Sequence, residues 1–235
     1  MHRINNLQIL SDHSWDFRLR ELPNEAETDD VVDARSSLVA RLRGTAVRTN
    51  SGLVLDGGQS CLGFQENGGY VDIDPWVWGG TTSIEIYVNY NSFNLASRVL
   101  DFSNEGYDEA VSLFNRGTSL TIDWTVRQND DTDASLLTSN LISSHSTWTH
   151  ILLAVKDTTM LIYKDGFLVG CQRYAHEPRT LTRTHHTIGA MHPASTSSSS
   201  THYFHGKIAF LRFYHNKKLT AEAARNLFET RELTF

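Results

Sequence analysis

Residues Trp148 to Arg173 constrain the fold of this chain more than any other stretch. Trp148 opens an apolar run, Ile151 to Val155, which a polar break at Lys156-Asp157-Thr158-Thr159 ends. A second run, Met160 to Tyr163, stops at Lys164-Asp165-Gly166, and a third extends from Phe167 to Arg173. An Asp-Gly pair between two such runs is a strong hairpin signal, because both central residues of a two-residue hairpin loop take positive φ. The stretch therefore reads as strand, turn, strand, tight turn, strand.

The rest of the chain from Leu53 onward follows the same grammar. Leu53-Val54-Leu55 ends at Asp56-Gly57-Gly58, and Tyr70 to Ile73 ends at Asp74-Pro75. Ile84, Ile86, Val88 and Tyr90 alternate with Ser83, Glu85, Tyr87 and Asn89, which predicts a strand with one buried face. Arg98 to Phe102 and Val111 to Phe114 are two further short strands. Ser119 to Arg127 places Leu120, Ile122, Trp124 and Val126 on one face. In Lys207 to Tyr214, Ile208, Phe210 and Arg212 alternate with Ala209, Leu211 and Phe213. Thr220 to Phe228 is the one good helix, with Thr220 as its cap and Glu222 in its first turn. Glu25 to Asp30 and Ser195 to Thr201 read as loops, and Val31 to Leu42 as a short helix or irregular segment. The sum is an all-β, two-sheet antiparallel sandwich with one short C-terminal helix. Residues 51–235 form the sandwich, and residues 1–50 are an N-terminal extension that packs on it or projects from it.

Composition narrows function mainly by exclusion. With 235 residues, 40% of them hydrophobic and 20% charged, the chain has material for one large core. A formal net charge of −6 and the lack of any basic block beyond Lys217-Lys218 argue against nucleic acid. Cys61 and Cys171 are too few for a disulfide framework or a zinc site, and read as two buried thiols, with a bridge between them left open. The start MHRINNLQIL lacks a signal-peptide core, and no apolar run suffices for a membrane span. Membrane insertion is not expected. An extracellular location then implies a signal on a longer precursor or another route of export, and an assembly or virion component would need no signal.

Five segments, taken in order, resemble the laminin G-like, concanavalin A-like lectin/glucanase jelly roll. They are Leu53 to Gly57 before Tyr70 to Ile73; Thr82 to Val88; Arg98 to Asn104; Trp148 to Ile151 leading to Tyr163-Lys164-Asp165-Gly166; and Phe204 to Ile208 before the closing strand and helix. The resemblance implies a jelly-roll sandwich and a non-enzymatic module that recognises a glycan or glycoprotein, in adhesion or cell-surface recognition. The alternative is a structural subunit of a virion or other assembly, with protein neighbours as partners. A β-glucan hydrolase ranks below both, because the family's Glu-x-Asp-x-x-Glu motif is missing and a retaining enzyme needs two carboxyl groups about 5 Å apart. No Gly-x-Ser-x-Gly elbow or phosphate-binding glycine loop is present either.

The candidate ligand-binding residues are Trp76 and Trp78, a loop pair able to stack on sugar rings, and Glu85, Tyr87 and Asp123 on polar sheet faces. Trp124 and Trp148 are expected in the core, and Trp15 packs the N-terminal segment onto the sandwich. His185 and His186 point to opposite faces of a strand and so do not share an ion, and the histidines read as surface and loop residues. The resemblance implies calcium at a sandwich rim, with Asp101, Asn104 and Glu105 (beside Ser103 and Asp108) and Asp130 and Asp131 (beside Asn129 and Asp133) as ligands. Asp and Asn also favour turns without any ion, so both clusters carry a second, plain-loop reading.

Overall fold

The computed structural model describes residues 11–18, 30–58, 68–104, 108–128, 133–138, 141–142, 145–192 and 202–231. In chain order the strands are β1 (His13–Asp16), β2 (Val31–Val32), β3 (Val39–Arg43), β4 (Val47–Thr49), β5 (Gly52–Asp56), β6 (Tyr70–Ile73), β7 (Trp76–Trp78), β8 (Thr82–Ser92) and β9 (Arg98–Ser103). They continue with β10 (Val111–Asn115), β11 (Ile122–Arg127), β12 (Asp133–Thr138), β13 (Trp148–Lys156), β14 (Thr159–Lys164), β15 (Phe167–Arg173), β16 (Leu181–Arg183), β17 (His185–Ile188) and β18 (His205–His215). Helix α1 (Ala221–Thr230) follows.

Two eight-stranded antiparallel sheets face each other. One runs β15-β14-β13-β8-β18-β5-β4, with β1 also paired to β18; the other runs β12-β11-β10-β9-β17-β6-β3-β2. A small ladder joins β7 to β16. Between the sheets lies a core of alternate side chains, among them Ile84, Ile86, Leu113, Trp124, Leu153, Ile188 and Leu211. The sandwich is the expected jelly-roll architecture. The triple-strand stretch is β13, β14 and β15, and its Asp165-Gly166 turn has φ of 49° and 80°, as a two-residue hairpin loop requires.

Four local expectations need correction. Val31 to Leu42 is extended, not helical: β2 pairs with β3, and β3 with β6, because the apolar Val31, Ala40 and Leu42 reach the core only at a spacing of two. In β18 the alternation changes phase. A register shift between Ile208 and Phe210 puts Ile208, Leu211 and Phe213 in the core and turns Phe210, Arg212 and Tyr214 outward. Strand β8 is buried on both faces: His150, Arg212 and Tyr214 of the neighbouring strands enclose Glu85 on its outer side, where Leu219 and the α1 residues Ala223, Ala224 and Leu227 pack on Leu152, Tyr163 and Tyr214. Trp148 is half-buried on that outer face, stacked on Tyr87, whereas Trp124 and Trp15 are core residues as expected. Among the described residues, no helix is long and apolar enough to cross a membrane.

Candidate ligand-binding cleft

Strands β5, β8 and β18 meet at one rim of the sandwich, and the segments that follow or precede them border an open cleft of about 380 Å³. Its lining comprises Gly57, Gly58, Ser92, Phe93, Asn94, Leu95, Thr118 and His205. Gly57 and Gly58 carry the chain away from β5 at φ of 76° and 64°. A side chain at Gly57 would bring a Cβ within 2.6 Å of Asn94 Nδ2 and 2.7 Å of His205 Cβ, so the wall requires glycine there. The Asp56 carboxylate ties this turn down by accepting from the backbone N–H of Gly58 and of Gly69, each at 3.2 Å.

The polar groups of the cleft hold one another in place. Ser92 Oγ donates to Asn94 Oδ1 at 3.1 Å and shares a hydrogen bond with His205 Nδ1 at 2.8 Å. Asn94 Nδ2 donates to the carbonyls of Gly57 and Tyr203 at 3.2 and 3.4 Å. Asn115 Nδ2 donates to the carbonyls of Asn94 and Gly117, which ties the 92–95 wall to the turn carrying Thr118. Phe93 stacks on Tyr90 at 5.0 Å, and Leu95 is 60% exposed at the mouth. The result is a preformed concavity with an apolar wall and hydroxyl, amide and imidazole groups, and among the described residues its lining holds no Asp, Glu, Lys or Arg.

Among the described residues, none of the candidate ligand-binding or calcium residues named from the sequence lines this cleft. Trp76 and Trp78 are not in a loop but form β7. Trp78 is fully buried, donates from Nε1 to His186 Nε2 at 2.9 Å, and has the Arg183 guanidinium over its ring. Trp76 is half-buried, with its ring 3.7 Å from that of His186. Neither presents a free face to a sugar, because the ladder with β16 turns both rings into the aromatic core. His186 is correspondingly no surface residue. Burial, then the charges of Arg183, His185 and His13, hold its pKa well below the ordinary value, so it is the neutral acceptor that the Trp78 N–H needs.

Glu85 lies at the centre of the covered outer face, flanked by Leu152 and Arg212 on the neighbouring strands. Its carboxylate accepts from Arg212 at 3.0 and 3.2 Å and from the Tyr214 hydroxyl at 2.6 Å, and shares a hydrogen bond with His150 at 2.8 Å. Burial opposes its ionisation, yet the His150 hydrogen bond and the Arg212 charge outweigh burial and hold the pKa below the usual carboxylate value. Tyr87 is half-buried on the same strand as Glu85, between Trp148 and Phe210. Asp123, on the outer face of the other sheet, is nearly buried and accepts from Ser135 and Thr125 at 2.5 and 3.3 Å. Glu85, Tyr87 and Asp123 thus lie on two different sheets and do not converge.

The proposed calcium ligands fare similarly. Asp101 is fully buried in β9, with the Arg98 guanidinium 3.4 Å away, a cation that opposes a second one. Asn104 Oδ1 accepts from the backbone N–H and hydroxyl of Thr184 at 3.0 and 3.2 Å. Glu105, Asp130 and Asp131 lie outside the described residues, as does Cys61. Among the described residues no three His, Cys, Asp or Glu side chains group as a metal site. Asp101 and Asn104 therefore do not fit a rim calcium ion. Cys171 is a free, exposed thiol on β15 rather than a buried one.

The signal for the cleft was present in part. Asp56-Gly57-Gly58 and Phe204-His205-Gly206 stand out as turn and strand-entry motifs. Ser92 to Leu95 and Thr118 carry no periodicity, and the four pieces meet only through the fold.

Comparison with solved structures finds β-sandwich folds similar to this one. Domain 4 of the extracellular arabinanase of Geobacillus stearothermophilus, in complex with arabinotriose, matches with a TM-score of 0.65 at 14% identity, over 92% of this chain and 97% of that one. The CBM40 domain of Ruminococcus gnavus IT-sialidase, bound to α2,3-sialyllactose, matches with a TM-score of 0.55 at 13% identity, over 64% and 83%. The binding domain of botulinum neurotoxin DC, in complex with rat synaptotagmin II, matches with a TM-score of 0.63 at 13% identity, over 95% of this chain but 52% of that one. These likenesses show the fold. The comparison with curated protein sequences finds no match. The family model described as the concanavalin A-like lectin/glucanases superfamily matches residues 65–224, well over half of the sequence, and the chain belongs to that laminin G-like family.

Proposed function

We propose that this chain is a non-enzymatic recognition module that binds a short, neutral glycan in the rim cleft. The observation that carries the reading is the lining itself. Phe93 and Leu95 supply apolar surface for the faces of sugar rings, while Ser92, Asn94, Thr118 and His205 supply hydroxyl, amide and imidazole partners. An acidic sugar would call for a basic group, and among the described residues the lining has no Lys or Arg. Hydrolysis calls for two carboxyl groups facing one substrate. Among the described residues the cleft lining offers no carboxylate, and Glu85 is fully buried away from it. That similar folds are found with arabinotriose and sialyllactose supports glycan as the ligand class. Because the pocket walls are already hydrogen-bonded to one another, binding loses little entropy in ordering them.

The test is a glycan array on the purified chain, with neutral and sialylated sugars, repeated in EDTA. We expect binding to neutral glycans that survives EDTA. Thr118→Trp, at an exposed turn position, should fill the mouth and weaken binding at least about tenfold, and Leu95→Ala should weaken it in the same direction. Undiminished binding by Thr118→Trp, or binding confined to sialylated glycans, would overturn the cleft assignment.

A further inference from the structure

We propose that the flank formed by β15 and β12 is a self-association surface, on which a second copy of this chain pairs its own β15 antiparallel to the first. Strand β15 ends one sheet, and among the described residues no strand pairs with its other side. Phe167, Leu168 and Val169 are 62%, 52% and 45% exposed, and Tyr174, just beyond the strand, is 93% exposed. Tyr174 is held at φ 65°, a left-handed conformation that a bulky residue rarely adopts. Strand β12, the edge of the other sheet, lies against β15 through Leu136 and Thr138 beside Gly170. Exposed edges normally carry lysines or prolines that repel a pairing strand. From Phe167 to Gln172 this edge has neither, and no charge of any kind.

Charge favours a copy as the occupant. The one cation of the strand is Arg173, at its end. An antiparallel two-fold through the middle of the strand keeps the two Arg173 side chains apart and brings each to the other copy's Phe167 end, where a guanidinium and an aromatic ring attract. The neutral centre meets itself without repulsion. Area sets the strength. A seven-residue edge strand with its neighbours covers less than the roughly 1,600 Å² of a standard stable interface, so the dimer is concentration-dependent. The same two-fold places Cys171 of each copy close to the axis.

The experiment is sedimentation velocity of the full chain over a concentration series in reducing buffer. The expected result is a mass that rises from one chain toward two. Leu168→Lys, a change at an exposed position, should raise the dissociation constant at least about tenfold, while Leu168→Thr, which keeps strand propensity, should change it far less. Near-UV circular dichroism reports whether the Lys variant keeps its fold. As an independent readout on the unaltered interface, a short bis-maleimide should cross-link wild-type dimers through Cys171, and Cys171→Ser should abolish the product. A wild-type chain that stays monomeric throughout would overturn the proposal, as would a Leu168→Lys dimer as tight as wild type.

Discussion

At the scale of single residues, burial decides what the acidic side chains do. Glu85 is ionised because Arg212, His150 and Tyr214 replace the water that the sheet and α1 exclude. Asp101 has weaker partners: Arg98 at 3.4 Å, a Ser112 hydroxyl at 3.2 Å and the Ser103 side chain. There burial outweighs them and pushes the carboxyl up to about 6 from an ordinary 3.8. The folded state therefore binds more protons than the unfolded chain between those two values. By linkage, Asp101 contributes stability that is fully present below about 3.8 and is lost as pH rises through about 6. A shift of two units corresponds to about 3 kcal/mol at most. We expect Asp101→Asn, which cannot ionise, to gain on wild type by about 2–3 kcal/mol as the pH is raised from 4 to 7. Urea unfolding at several pH values measures this difference. A wild-type-to-variant gap that stays constant with pH would mean that Asp101 does not titrate in this window.

At the scale of elements, the sequence was most legible where a buried stripe and turn chemistry agree. The β13–β14–β15 hairpins and helix α1 are such cases. Thr220 caps α1 as expected, its Oγ1 accepting from the Ala223 N–H at 3.2 Å. Replacing that hydroxyl in Thr220→Ala should cost about 1 kcal/mol, and Thr220→Ser should restore most of it. Equal urea midpoints for Thr220→Ala and wild type would show that the cap carries no weight. Legibility failed where tertiary pairing overrides local pattern. Trp76-Val77-Trp78 is too short to show a period, and becomes a strand only because Leu181 to Arg183 pairs with it. The shift between Ile208 and Phe210 reverses the faces of β18, which no strict alternation reveals. The cleft was illegible for a third reason: Gly57, Asn94, Thr118 and His205 are far apart in sequence, and nothing local marks their convergence.

At the scale of the whole molecule, the two sheets are closed by the N-terminal fifth of the chain. Trp15 and Phe17 are fully buried in the shared core, and Val31 and Ala40 join them there. Strand β1 pairs with β18, β3 with β6 and β4 with β5. Asp12 accepts from the His215 N–H, so the segment is also fastened to β18 by a charge-assisted hydrogen bond. Removing residues 1–50 would strip two large aromatic side chains from the core and leave part of β18 and one side each of β6 and β5 unpaired. Deleting one buried Phe or Trp side chain typically costs about 3–5 kcal/mol. Two such losses rival the 5–15 kcal/mol that stabilises a typical domain. We therefore expect the chain truncated to residues 51–235 to lose its cooperative thermal transition and its near-UV signal. Differential scanning calorimetry on both chains decides the matter. A truncated chain that melts sharply, within a few degrees of the full one, would instead make residues 1–50 an accessory segment. Its sheet pairings and buried aromatics would then contribute far less than their burial implies.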